Sequence, residues 1–131
     1  MSDKKITNGF ILAGLINIIA VLLLSKCFTN DILTDTDPTV MSNFGLLMII
    51  IWGLAYLSVS KAFHSVKWLV LVFAIEKLIY GIIWTNWILN NELSLIYDKD
   101  FMAGIFYNIY GLNDLLFFFF FTYVFYKLTK R

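Results

Sequence analysis

A chain of 131 residues with a net charge of +1, 60% hydrophobic residues, 15% charged residues and one proline lacks the make-up of a soluble domain, where about a quarter of residues carry charge. A mean hydropathy of +0.80 points to a chain spent mostly inside a membrane. No basic patch suits nucleic acid, and no cofactor is expected.

Four apolar runs, at about 9–26, 42–60, 68–89 and 101–127, each approach the roughly 20 residues that cross a bilayer core. Lipid offers no partner to backbone groups, so each run must be helical. The expected fold is all-α: one polytopic membrane domain over 1–131, an integral four-helix antiparallel bundle. Seven basic residues (Lys4, Lys5, Lys61, Lys67, Lys127, Lys130, Arg131) flank the termini and the 61–67 link. The links at 27–41 and 90–100 hold six acids against Lys26 and Lys99. Positive residues stay inside, so the N- and C-termini are expected to be cytoplasmic.

The first run ends on LLLSKC at 22–27, which resembles a bacterial lipoprotein signal with Cys27 as lipid acceptor. Lys26 stands where that motif needs a small residue, so the run is expected to stay as a mature helix. Cys27 is the only cysteine, which excludes a disulfide or thiol relay within one chain. The link at 31–40 carries Asp35 and Asp37 but neither the glycine nor the closing glutamate of a calcium loop, so it reads as a solvated acidic loop. The short 61–67 link makes the second and third spans antiparallel neighbours. His64, on that link, reads as solvated, and one histidine cannot make a bis-histidine haem. No cluster has metal-ligand spacing.

The third run carries Glu76 and Lys77 near its middle, and the fourth carries Asp114 and then FFFFFTYVFY at 117–126. At the helical rise, Glu76 and Lys77 lie roughly 13–15 Å from the cytoplasmic end, Asn17 about 12 Å and Asp114 about 20 Å. Trp52 and Tyr56 lie roughly 6–12 Å deep. Steps of three and four place Phe73, Glu76 and Lys77, Tyr80, Trp84 and Trp87 on one side of the third helix. Tyr107, Tyr110, Gly111 and Asp114 share a side of the fourth. Each charge costs roughly 2.5–3.5 kcal/mol at a span's centre, so the third span needs neighbours. Lys77 is expected to pair with Asp114, with Asn17 and the Tyr56 and Tyr110 hydroxyls adding hydrogen bonds. Glu76 points about 100° away round the helix. Two carboxyls then face one ammonium, a surplus met by protonation, by a water-filled cavity or by a cationic ligand. The candidate ligand-binding cluster is Glu76, Lys77, Asp114, Asn17, Trp52, Tyr56, Tyr80, Tyr110 and Trp84. A structural clamp is the alternative use of the same charges.

A faint repeat aligns WGLAYL at 52–57 with YGLNDL at 110–115, and ILAGLINII at 11–19 with LVFAIEKLI at 71–79, placing Asn17 over Lys77. As a true repeat it would make two parallel helical hairpins.

At WGLAY (52–56), EKLIY (76–80) and GLNDLLF (111–117) the chain resembles small four-span bacterial inner-membrane proteins of the DoxX-like kind. The resemblance covers the second to fourth spans, implies a compact bundle in a bacterial inner membrane, and carries no catalytic residue across. Three functions are compatible with these residues. One is binding of a small lipophilic or amphipathic ligand. The others are an accessory subunit of a larger membrane complex and a small proton-coupled transporter, which would need a homodimer. Membrane lipid is the expected surrounding partner. An enzyme finds no nucleophile–base pair, no redox thiols and no metal set here.

Overall fold

Serine, asparagine and aspartate open the helices. A computed structural model describes residues 1–131 and is all-α, 82% helical, with six α-helices and no strand. They are α1 (Asp3–Leu24), α2 (Asp31–Thr36), α3 (Asn43–Val59), α4 (Lys67–Asn90), α5 (Leu93–Lys99) and α6 (Phe101–Thr129), with a 3₁₀ turn at Phe63–Ser65. Side-chain oxygens of Ser2, Asn30, Ser42 and Asp100 accept from the amides of Lys5, Leu33, Gly45 and Ala103. Each satisfies one donor that a helix start leaves orphaned. Capping by Ser2 starts α1 at Asp3, well before the expected residue 9. The acidic links are not plain loops: they fold into the short helices α2 and α5.

Three helices, α1, α4 and α6, are long and apolar enough to cross a membrane, whereas α3 has 17 residues. Their outer faces are apolar too. Leu12 and Ile19 on α1, Ile75 and Ile82 on α4, and Leu116 and Phe119 on α6 are exposed. A helix that is apolar all round belongs in a membrane or a large core.

Close packing runs α1 against α3 and α4 against α6. Gly14 and Gly53 face each other: a Cβ on either would lie 2.7–2.8 Å from the other's carbonyl oxygen. The short 61–67 link makes the second and third spans expected neighbours, and α3 and α4 do touch, through large rings and the bond from Tyr56 to Glu76. Tyr56 and Trp52 meet Phe73 edge-on, with centroids 4.8 and 6.1 Å apart. Glycines let one pair close; aromatics keep the other open.

The buried apolar residues form two clusters. One gathers Phe10, Tyr56, Phe63, Phe73, Phe117 and Phe121 towards the termini. The other gathers Val21, Leu33, Trp84, Trp87, Phe106 and Tyr107 towards α2 and α5. Within the phenylalanine run, Phe117 and Phe121 are buried while Phe119 is exposed. Asp3 ties the end that holds both termini: His64 Nε2 lies 3.1 Å away, Arg131 Nη2 3.0 Å and Lys127 Nζ 3.6 Å.

At the opposite end Asp100 is the tie. It accepts from Lys26 Nζ at 2.7 Å, from Asn30 Nδ2 at 2.8 Å and from the Ala103 amide at 2.8 Å. These bonds hold a turn in which Lys26, Cys27 and Phe28 all take left-handed backbone angles, with φ of 52°, 55° and 68°. Such angles cost a non-glycine residue roughly 1–2 kcal/mol each. The hydrogen bond from Lys26, outweighing the opposing effect of burial, holds the Asp100 carboxyl below its ordinary range. A carboxyl so depressed stabilises the fold fully above its unfolded pKa and loses that contribution as pH falls through the folded value. Asp100→Asn, which keeps an acceptor for the Ala103 amide but loses the ion pair with Lys26, should therefore cost about 0.5–1 kcal/mol at neutral pH. The gap from wild type should begin to narrow near about pH 4, where an ordinary aspartate takes up its proton, and close as pH falls through the lower folded value. Thermal melts of both proteins across pH 3–8 check this, and a gap that persists in acid would refute it.

Candidate functional site

Between the two apolar clusters lies a layer of buried polar side chains: Asn17, Glu76, Lys77 and Asp114. Lys77 is 1% exposed, so its ammonium must find all its partners inside the protein. It does so with three. Nζ lies 2.7 Å from Asp114 Oδ1, donates to Asn17 Oδ1 at 3.1 Å, and sits 5.2 Å from the centre of the Tyr56 ring. Asn17 in turn donates through Nδ2 to the Ile49 carbonyl at 3.0 Å. One chain of contacts thus joins α6, α4, α1 and α3. Asn113 Nδ2 adds a further bond of 3.3 Å to Asp114 Oδ1.

Glu76 stands apart from this chain. The Tyr56 hydroxyl donates to Glu76 Oε2, and Glu76 takes part in none of the five ion pairs. Tyr56 was expected to serve the Lys77–Asp114 pair. Instead α3 lies across from α4 behind Phe73, and its phenol reaches Glu76. Tyr110 was expected there as well, but its buried hydroxyl has no hydrogen-bond partner. Trp84 lies outside the layer: its indole N–H donates to the Tyr107 carbonyl at 2.6 Å, in the second apolar cluster. Tyr80 and Trp52 are half-buried at the edge of the layer.

Two spaces meet at Glu76. An interior cavity of about 50 Å³ is lined by Asn17, Glu76, Lys77, Tyr80, Tyr110 and Asp114 among others. That is enough for ordered water, which needs roughly 10–15 Å³ of such space, but not for a drug-sized molecule. A lateral groove of about 420 Å³ runs between α3 and α4, with Trp52, Glu76 and Tyr80 in its wall. Only the groove reaches the roughly 300–1,000 Å³ of small-molecule sites.

Some residues that matter here escape a periodicity argument. The Ile49 carbonyl binds Asn17 through the backbone, which no side-chain pattern reports. Tyr107 donates to the Leu33 carbonyl at 2.7 Å and so anchors α2 on α6. Asp100 had a visible signal, an aspartate just before an apolar run, which is a helix-start signature.

No family model matches this chain, and neither does any curated protein or solved structure, so the DoxX-like resemblance rests on the three short motifs alone.

Proposed function

We propose that this is a multi-pass protein of the bacterial inner membrane that binds a small amphipathic molecule at a polar site inside a four-helix antiparallel bundle. The observation that carries the reading is Glu76. It is a buried carboxyl outside every ion pair, and it borders both the interior cavity and the lateral groove. In a structural clamp Lys77, Asp114 and Asn17 already satisfy one another, and Glu76 adds only the bond from Tyr56, which a neutral acceptor could also take. Ionisable groups within membrane spans usually serve function.

On this reading α3 also crosses the membrane, as the second of four spans, about 25 Å long at the helical rise. Its exposed Phe44, Leu47, Ile51 and Leu54 would face lipid. The end where Asp3, His64, Lys127 and Arg131 gather would be cytoplasmic, in keeping with the basic residues at the termini and the 61–67 link. The bacterial membrane itself rests on the motif resemblance.

The test is native mass spectrometry of the full chain extracted gently from its own membrane. A stoichiometric small-molecule adduct is expected, and it should be lost in a folded Glu76→Gln variant. A bare chain would refute binding. So would a chain that carries only another polypeptide in stoichiometric amount, which would mark an accessory subunit instead.

A further inference from the structure

The lateral groove has a chemical bias. Of the charged residue types, Glu76 alone lines it; the rest of the wall is apolar or hydroxyl-bearing, with Phe44, Trp52 and Tyr80 as its aromatic members. Lys77, one position on, turns into the interior cavity and is taken up by Asp114, Asn17 and the Tyr56 ring. An occupant of the groove therefore meets a carboxyl, while the neighbouring ammonium lies outside the groove wall and is bonded to Asp114 and Asn17. Tyr56 supports that carboxyl by donating to one oxygen, which leaves the other free to accept.

From this arrangement we infer that the groove takes an amphipathic cation, its charged centre against Glu76 and its apolar body along the aromatic wall. The inference rests on the binding reading above and names the ligand class. Charge and ring geometry favour it together. Aromatic faces attract cations, tryptophan most strongly, and the attraction grows when water is excluded. An anion would meet the carboxyl and find no cationic partner in the wall. A bare divalent ion would find one carboxylate where calcium needs six or more oxygens. The entrance favours an apolar body over a hydrophilic one. Phe44 and Ile79, at the groove's margin, are 71% and 51% exposed on a flank that would face lipid.

The experiment uses the full chain in mild detergent and two ions of matched shape and opposite charge, tetraphenylphosphonium and tetraphenylborate. Equilibrium dialysis should show saturable binding of the phosphonium at one per chain and none of the borate. Glu76→Gln keeps an acceptor for Tyr56, so it should stay folded and weaken phosphonium binding at least about tenfold, the equivalent of one lost charge-assisted contact. Ile83→Trp, which fills the groove without touching the carboxyl, should weaken it as well and keeps the test open should the Gln variant misfold. Equal binding of both ions, or phosphonium affinity unchanged in both variants, would overturn the cation assignment. A stoichiometric neutral or anionic adduct in native mass spectrometry would do the same while leaving the binding reading intact. If neither ion binds and the extracted chain is bare, the binding reading itself fails.

Discussion

Lys77→Met is expected to cost about 3–5 kcal/mol and to leave little folded protein in detergent, because it strands a buried carboxylate. Methionine nearly matches the lysine stem in shape, so the change isolates the charge. Without the ammonium, Asp114 keeps only the 3.3 Å bond from its neighbour Asn113. Asn17 Oδ1 loses its donor at the same time. The double variant Lys77→Met with Asp114→Asn removes both charges and leaves no uncompensated carboxylate at 114. It should recover most of the loss, since replacing both members of a buried pair is often close to neutral. Unfolding of the two single variants and the double in one detergent gives the coupling energy directly. Additive losses would mean that the 2.7 Å contact does not couple the two residues.

Gly53→Ala should destabilise the protein by about 1–3 kcal/mol, the range for overpacking a tight interface. The new Cβ would sit 2.8 Å from the Gly14 carbonyl oxygen and 2.9 Å from Asn17 Cβ, so two helix backbones must separate. Separation also pulls Asn17 from the Ile49 carbonyl, 3.0 Å away at present. Gly9 provides the control. A Cβ there meets the far end of the Phe120 ring, which can swing aside more readily than a backbone can. Gly9→Ala should cost under about 1 kcal/mol, helped by alanine's better helix propensity. Denaturant titration of both variants decides the matter: equal losses would mean that α1 and α3 are not held at their closest approach by Gly14 and Gly53.

Much of the site was legible at the level of spacing. Steps of three and four on the third and fourth runs bring Lys77 and Asp114 to one side, and the depth estimate puts Asn17 near them. What spacing cannot report is which of two buried carboxyls, Glu76 or Asp114, a phenol will choose. Tyr56 goes to Glu76 because aromatic rings hold α3 away from α4, and that separation is a property of packed volumes. Trp84 shares its helix face with Glu76 and Lys77 but lies about two turns along, which is far enough to place it in another cluster. Asn17 and Lys77, aligned in the faint repeat, are hydrogen-bonded to each other, whereas the aligned Gly53 and Gly111 differ in surroundings: one meets the Gly14 backbone, the other the Trp84 ring.

Composition by itself determined that the chain is helical and holds runs able to cross a membrane, because a backbone in lipid has few ways to pair its own polar groups. The charge pattern also separated a basic end from an acidic one, since the charges that flank membrane spans stay near water whatever the packing between them. The tertiary structure decided which helices pack closely, how the acidic links coil, and that the Tyr56 hydroxyl serves Glu76 rather than the Lys77–Asp114 pair. Those outcomes turn on where glycines permit contact and where aromatic rings forbid it. Such contacts join residues dozens of positions apart, and only the folded chain brings them together.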